Sequence, residues 1–233
     1  MATILKELLV TFVRHGQTFY NLMHKMQGWS DAPLTDKGIA DLEKTAQGLK
    51  NIHFDACYSS DLKRAMDTAE IIMRENSASS PLLSLQTDAN FREVGFGIFE
   101  GVDDRIVAKE IGKPFGFDNF NDFIEQEGID KVRDATKIAD TSGWAESSGD
   151  VYSRMKNGFN DLLEQNPTGS NILVVTHGGF IRMMGEKYAT KAQLAAVNLP
   201  ANGSVTIVKV TDSHIEVLDF ARPNDQLNQN EAV

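Results

Sequence analysis

The chain is poor in cysteine, in positive charge and in long apolar runs. Its single cysteine, Cys57, among 233 residues excludes an internal disulfide and favours a reducing compartment. Its 33 acidic residues outnumber 23 Lys and Arg, a net charge of -10, which argues against nucleic acid or an anionic membrane surface as main partner. No run is apolar enough to span a bilayer, and Lys6 and Glu7 interrupt the stretch where a signal peptide needs its apolar core. We therefore expect a soluble, cytoplasmic protein.

Two short apolar runs end in the same dipeptide, His-Gly. Residues 8–13 lead into Arg14 and His15, and residues 171–176 lead in the same way into His177. In an open parallel sheet, ligands bind where strands end and helices begin. If the two strands are neighbours, the two histidines meet across one crevice.

Strand-like and helix-like segments alternate along the chain. Further strands are predicted at 54–58, 82–85, 205–210 and 215–220, the last two forming a hairpin at one edge of the sheet. Helices are predicted at 35–49, 61–74, 148–165 and 179–188, with Thr35, Ser60 and Ser148 at the starts of the first three. This alternation predicts an α/β fold, a three-layer sandwich with a mostly parallel central sheet flanked by helices.

Residues 91–145 break the alternation, because glycines recur there at 95, 97, 101, 112 and 116. We expect a lid-like insertion at about 98–145, after the third strand, with one short helix around 117–127. Residues 1–222 are predicted to form a single domain that includes this insertion. The polar stretch 223–233 is expected to fray.

A histidine beside an arginine suits an anion better than a metal ion, because the guanidinium repels cations and binds phosphate oxygens in pairs. Taken alone, His15 beside Arg14 fits a structural histidine at a strand end equally well. Three features favour chemistry: His177, Arg64 in the first turn of a helix that follows a strand, and Glu93 in a glycine-flanked segment. Two histidines, two arginines and one carboxylate are what metal-free phosphoryl transfer requires.

These residues fall in blocks that resemble the histidine phosphatase superfamily, which contains cofactor-dependent phosphoglycerate mutases and many small phosphomonoesterases. The blocks, in the family's order, are 13–18, 21, 27–28, 33–38, 58–69, 93, 96–97, 100–101, 146–147 and 175–179. They spread over most of the chain. Arg-His-Gly combined with Ser-x-x-x-Arg-Ala-x-x-Thr-Ala is highly specific.

The resemblance implies roles for the matched residues. His15 is the nucleophile that becomes phosphohistidine, and Glu93 is the acid for the leaving group and then the base for water. Arg14, Arg64 and His177 hold the transferring phosphoryl group. The residues that assist or line the substrate side are Asn21, Thr18, Gln27, Gly28 and Gly178. The helix after Gly178 is expected to add its N-terminal dipole to the anion site, and no metal or cofactor is implied.

Several functions fit such a site. A phosphomonoesterase acting on a small organic phosphate is favoured over a mutase, because the segment after Glu93 lacks the adjacent arginine pair of family mutases. Its aromatics, among them Phe115, Phe117, Phe120, Phe123 and Trp144, predict a preference for apolar substrates and no second anion site. A cofactor-dependent phosphoglycerate mutase and a catalytically silent phosphate-binding module stay open. A metal-dependent hydrolase would need a carboxylate-rich ligand set that the motifs do not provide, and the oligomeric state is left open.

Overall fold

A computed structural model describes residues 6–81, 83–197 and 199–227. Its strands are β1 Glu7–Arg14, β2 Ala56–Ser59, β3 Leu85–Thr87, β4 Asn171–Thr176, β5 Val205–Thr211 and β6 Ile215–Arg222. Within the described residues they form one six-stranded sheet in the order β3-β2-β4-β1-β5-β6. The first four pair in parallel, whereas β5 and β6 add antiparallel strands at one edge. The mostly parallel sheet and the edge hairpin are confirmed.

Helices cover both faces of the sheet. Their bounds are α1 Phe19–Leu22, α2 Asp36–Leu49, α3 Lys63–Glu75, α4 Asp104–Gly112, α5 Phe120–Glu127, α6 Ile129–Ala139, α7 Ser148–Gln165, α8 Gly178–Tyr188 and α9 Lys191–Ala196. Successive residues of β1 point to opposite faces: Val13 packs with α2 and α3, and Phe12 packs with the α7 ring of Phe159 and the α8 ring of Phe180. Burial on both faces explains the continuous apolar run of β1 and confirms the three layers.

Several predicted boundaries were wrong. The third strand is β3, three residues later than predicted, and Leu82 lies outside the described residues. Helix α3 begins at Lys63 rather than at residue 61, because the Ser60 hydroxyl accepts from the backbone N–H of Leu62 in a turn before the helix. The predicted fraying is wrong for residues 223–227, since Leu227 packs on the α2–α3 side; residues 228–233 lie outside the described part.

The segment after the third strand contains three helices, α4, α5 and α6, instead of the one predicted. Of the five glycines that argued against helices, four lie outside α4, α5 and α6, and one lies at a helix end. Gly112 is the last residue of α4, and Gly128 separates α5 from α6 with a φ of +83°, a backbone conformation that glycine adopts without strain. Val107, Ile111 and Val132 bury these helices against the α7–α8 side. The lid and the domain bounds stay predictions.

Candidate active site

The two histidines that follow β1 and β4 lie side by side. The strands pair in parallel with Arg14 opposite Thr176, so their carboxyl ends meet at one edge. The rings of His15 and His177 have centroids 5.1 Å apart, and the two residues are 2% and 0% exposed. The predicted crevice is therefore confirmed.

The hydrogen bonds of His15 distinguish its two ring nitrogens. Its Nδ1 lies 2.8 Å from the carbonyl oxygen of Gly16, which assigns the proton to Nδ1. Nε2 then carries the lone pair, and Nε of Arg64 donates to it at 3.3 Å. Burial, reinforced by the charges of Arg64 and Arg14, lowers the pKa of His15 well below its usual value. The imidazole is thus held in its neutral, nucleophilic form.

Two arginines flank His15. Arg64, in the first turn of α3, is fixed by bonds from its guanidinium to the carbonyls of Gly28 and Ser30 and to the carboxylate of Asp31. Arg14 donates to the carbonyl of Pro200. Burial is the main cause that lowers the pKa of both, in Arg14 to about 10. Both stay charged at neutral pH, so the crevice favours an anion.

Glu93 is bound to the start of helix α8. Its carboxylate accepts from the backbone N–H groups of Gly179 and Phe180, each at 2.9 Å, and from its own neighbour Val94 at 2.9 Å. The N–H groups in the first turn of α8 were expected to face a bound anion, but those of Gly179 and Phe180 donate to Glu93 instead. These bonds fix the carboxyl group at the mouth of the crevice.

The two glycines after His177 permit the close approach of Arg14 and Glu93 to helix α8. A Cβ on Gly178 would lie 2.9 Å from Cζ of Arg14, and a Cβ on Gly179 would lie 2.6 Å from Oε1 of Glu93. Any larger residue would displace one of these side chains. The close packing of Arg14 and Glu93 therefore explains why two glycines follow His177.

Comparison with known proteins agrees with this arrangement. The sequence profile of the histidine phosphatase superfamily (branch 1) matches residues 10–222. The chain belongs to the histidine phosphatase superfamily. It is 31% identical over 204 residues to the phosphoglycerate mutase-like protein 4 of Arabidopsis thaliana, covering 87% of this chain and 80% of that protein. It is 28% identical over 194 residues to a 2,3-bisphosphoglycerate-dependent phosphoglycerate mutase of Cytophaga hutchinsonii, covering 82% and 83%.

Solved structures show the same fold. The phosphoglycerate mutase from Bacillus anthracis superimposes with a TM-score of 0.85 over 97% of both chains at 28% identity. A mycobacterial glucosyl-3-phosphoglycerate phosphatase superimposes with a TM-score of 0.67 over 94% of this chain and 99% of that one, at 22% identity. Mutases and phosphatases thus share the fold of this superfamily member.

The residues predicted for the substrate side divide into two groups. A cavity of about 440 Å³ opens at His15, and Asn21, Gln27 and Gly178 lie in its wall. Thr18 and Gly28 lie behind the wall: the Thr18 hydroxyl donates to Oε1 of Gln27, and the carbonyl of Gly28 accepts from Arg64. Thr18 therefore positions the side chain of Gln27 in the wall, and Gly28 positions the guanidinium of Arg64.

Glu100, in the matched block 100–101, has a structural role. Its carboxylate accepts from the backbone N–H groups of Gly28, Trp29, Ser30 and Phe96. Four such bonds bind the loop around Gly28 to the segment that follows Glu93. Glu93 therefore remains the candidate for proton transfer.

Sequence reasoning missed two groups that support the site. Asn202 donates both to the carbonyl of His15 and to Oδ1 of Asn21. Arg154, on α7, donates to the carbonyl of Glu93 and to the carboxylate of Glu146. The signal for Arg154 was the Glu-Ser block at 146–147, which matched the superfamily without a role.

The expected aromatic wall is mostly wrong, because the rings pack on one another. Phe117 stacks on Phe123 with centroids 4.7 Å apart, and Phe115 lies 5.2 Å from the same ring. Phe120 alone of the five predicted aromatics lies in the described cavity wall, and Trp144 is 77% exposed.

The prediction that there is no second anion site is at odds with the cations in the cavity wall. Beyond Arg14, its wall includes Lys25, Arg105, Arg133 and Arg182. These four come from the loop after α1 and from helices α4, α6 and α8, so no stretch of sequence clusters them. Spacing offered one signal: Arg182 follows Gly178 by four residues and so lies on the same side of α8.

The described residues also bear on metal binding and on membrane spanning. Among them, no group of three or more His, Cys, Asp or Glu is placed to hold a metal ion. In the same part of the chain, no helix is long and apolar enough to cross a membrane.

Proposed function

We propose that this chain is a metal-independent phosphomonoesterase that acts on a small organic phosphate through a phosphohistidine on His15. One observation carries the proposal: Nε of Arg14, both ring nitrogens of His177 and Nε2 of Gln27 are buried without a hydrogen-bond partner among the described residues. Buried polar groups are normally bonded. A phosphoryl group bound at Nε2 of His15 would supply acceptor oxygens for Nε of Arg14, for Nε2 of Gln27 and for the one N–H that a neutral His177 ring carries.

The chemistry then runs in two steps. Nε2 of His15 attacks phosphorus, the ester P–O bond breaks, and Glu93 gives its proton to the departing oxygen. In the second step water attacks the phosphohistidine, its proton passes to the Glu93 carboxylate, and the N–P bond breaks. Phosphate leaves, and both side chains return to their starting protonation. Arg14 and Arg64 neutralise charge on the phosphoryl oxygens during both steps.

The substrate that we propose is a soluble phosphomonoester, and the location that we propose is the cytoplasm. The net charge of -10 and the single cysteine support both. Nucleic acid and membrane surfaces are not among the partners of this proposal.

The decisive experiment traps the intermediate. Quenched-flow mixing with a ³²P-labelled monoester should give acid-labile phosphate on the wild-type chain and none on His15→Ala, and turnover of p-nitrophenyl phosphate should be lost with it. His214→Ala, in the exposed turn of the hairpin, is the matched control and should behave as wild type. Undiminished turnover by His15→Ala would overturn the mechanism. If the wild type binds phosphate without any turnover, the silent binding module is favoured. If turnover is lost in EDTA, a metal-dependent hydrolase is favoured.

A cofactor-dependent phosphoglycerate mutase is the second candidate. The extra cations in the cavity wall, such as Arg133 and Arg182, and the names of the relatives favour it. A coupled mutase assay with 3-phosphoglycerate and 2,3-bisphosphoglycerate, run beside phosphate release on one preparation, separates the two. We expect phosphate release to dominate; mutase turnover above it would replace the phosphatase proposal.

A further inference from the structure

Arg154 is a largely buried cation whose N–H groups are all bonded within the protein. Its side chain extends from α7 and is 13% exposed. Nε and Nη2 donate to the carboxylate of Glu146 at 2.7 and 3.0 Å. Nη1 donates to the carbonyls of Asn90 and Arg92 at 2.9 and 2.7 Å, and Nη2 donates to the carbonyl of Glu93 at 3.0 Å. These bonds use all five N–H donors of a guanidinium, and three of them reach the acid segment, residues 90–95.

Glu146 bonds to the acid segment beyond Glu93. Its Oε2 accepts from the backbone N–H of Gly95 at 2.8 Å, and its own backbone N–H donates to the carbonyl of Gly95 at 3.0 Å. The side chain of Glu146 is 11% exposed, so dissolved salt screens its pairing with Arg154 only weakly. A buried polar network in which every member is bonded makes the backbone that it holds rigid. The pair therefore fixes the acid segment on both sides of Glu93.

The same cation contacts the helix to which the Glu93 carboxylate is bonded. The guanidinium carbon of Arg154 lies 5.6 Å from the ring centroid of Phe180. The backbone N–H groups of Phe180 and Gly179 donate to the carboxylate of Glu93. Arg154 thus bridges the backbone of Glu93 and the first turn of α8. The spacing of these two parts decides where the carboxyl group lies at the mouth of the crevice.

The pair of Arg154 and Glu146 has nothing to offer a substrate directly. All N–H groups of Arg154 bond to protein oxygens, and neither residue lines the cavity at His15. Glu146 balances the charge of Arg154, so the pair adds no net charge to the crevice. What it supplies is the position of the acid segment.

We propose that the ion pair of Arg154 and Glu146 positions Glu93 for proton transfer. The proposal rests on the proposed function, in which Glu93 gives its proton to the departing oxygen. Arg154 is a positioning residue, because it acts through the backbone of Glu93 and touches no reacting atom. An acid must lie within hydrogen-bond reach of the oxygen that it protonates, and an error of about 1 Å in such a position can cost roughly 10²-fold in rate. Loss of the pair should therefore weaken proton transfer, while Arg14 and Arg64 still bind the phosphoryl group.

Two substrates with the same ring separate proton transfer from phosphate binding. The leaving group of phenyl phosphate needs protonation far more than that of p-nitrophenyl phosphate. Arg154→Lys keeps the charge but offers three donors in place of five. We expect it to lower kcat/KM for phenyl phosphate about 10-fold or more beyond its effect on p-nitrophenyl phosphate. In a Glu93→Gln chain, which has no acid to position, Arg154→Lys should leave the ratio of the two kcat/KM values unchanged.

A second variant and two controls accompany Arg154→Lys. Glu146→Gln should change the ratio in the same direction, because the amide N–H groups would face the donors of Arg154. Arg74→Lys, which changes an exposed helical arginine paired with Glu75, is the matched control and should keep both kcat/KM values of the wild type. Leu162→Ala removes a buried side chain further along α7. It should lower Tm without changing the ratio.

The positioning role is refuted if Arg154→Lys keeps the wild-type ratio or slows both substrates equally. It is also refuted if Arg154→Lys has its full effect in the Glu93→Gln chain, since the effect then does not pass through the acid. A Leu162→Ala chain whose ratio changes as much would refute it as well, because lost stability would then explain the effect.

Hydrogen exchange measured by mass spectrometry tests the anchoring without any turnover. Arg154→Lys should speed exchange of the amides of the acid segment about 10-fold or more, because a local opening that breaks fewer bonds costs less free energy. Arg74→Lys should leave this exchange as in the wild type. If the wild type hydrolyses neither substrate but this difference is found, the phosphatase proposal fails and the anchoring of Glu93 stands. Unchanged exchange in Arg154→Lys would refute the anchoring alone.

Discussion

Two buried histidines should make the folded chain sensitive to mild acid. Burial is the main cause that holds the pKa of His15 and of His177 well below 6.5, and the charge of Arg64 lowers both further. The folded state therefore keeps both rings neutral where the unfolded chain binds a proton on each. Because the unfolded state binds more protons, the free energy of unfolding falls as the pH drops below the unfolded value of 6.5.

The size of this loss follows from linkage. A histidine whose pKa is depressed in the folded state lowers the free energy of unfolding as the pH falls. The decrease is about 1.4 kcal/mol for each pH unit below the unfolded pKa, until the folded pKa is reached. Between about pH 7.5 and pH 5.5, the free energy of unfolding should fall by about 1.4 kcal/mol for each histidine and about 2.8 kcal/mol for the pair. For a chain of 233 residues this is roughly a 6–11 °C fall in Tm.

Urea unfolding followed by circular dichroism at several pH values measures this fall. His15→Asn removes one titrating ring while its amide can still donate to the carbonyl of Gly16, which Nδ1 approaches at 2.8 Å. We expect the pH-dependent fall in the free energy of unfolding to be about half as large in this variant as in the wild type. His214→Asn, changed in an exposed turn, should reproduce the wild-type slope. A His15→Asn chain that loses stability as steeply as the wild type would refute the reasoning.

Three other changes give measurable outcomes. Glu93→Gln should slow substrates with poor leaving groups far more than p-nitrophenyl phosphate, whose leaving group needs little protonation; equal slowing in steady-state assays would mean that Glu93 is not the acid. Gly179→Ala should lower kcat about 10-fold or more, because its Cβ would lie 2.6 Å from Oε1 of Glu93. The matched control is Gly149→Ala, whose Cβ would have 3.8 Å of clearance. The same kcat in both variants would contradict this effect. Arg133→Met should raise Tm by roughly 4–8 °C in scanning calorimetry. Burial lowers the pKa of Arg133 from 12.5 to about 10, so removing its charge should stabilise the fold by about 3 kcal/mol. Losing the contact with Phe96 should destabilise it by about 1 kcal/mol. An unchanged or lower Tm would mean that Arg133 stabilises the fold.

The pair of facing histidines could be predicted because it depends on short-range rules. A buried run that ends in His-Gly places its histidine at the carboxyl end of a strand, and parallel pairing then brings His15 and His177 together. Arg64 followed from the helix that begins directly after β2. Each of these positions is determined by a few neighbouring residues and by the handedness of strand–helix–strand units.

The cavity wall could not be predicted, because it depends on how distant helices cross. Arg133 lies between Val132 and Asp134 on α6, and nothing in its spacing shows that this face meets α8 at a cavity. The aromatic prediction was wrong for a related reason: Phe117 and Phe123 bury their surface against each other. Whether a ring faces a partner or a ligand is decided by tertiary packing, which overrides local pattern.

The continuity of α4, α5 and α6 along the chain has an evolutionary consequence. These helices supply Arg105, Phe120 and Arg133 to the cavity, whereas Arg14 and His15 come from the end of β1 and Arg64 comes from the start of α3. Under the proposed function, recombination of one contiguous segment, residues 104–139, would change which alcohol is accepted while His15, Arg14 and Arg64 stay in place. A fold arranged in this way can diversify its substrates by exchange of a single exon-sized segment.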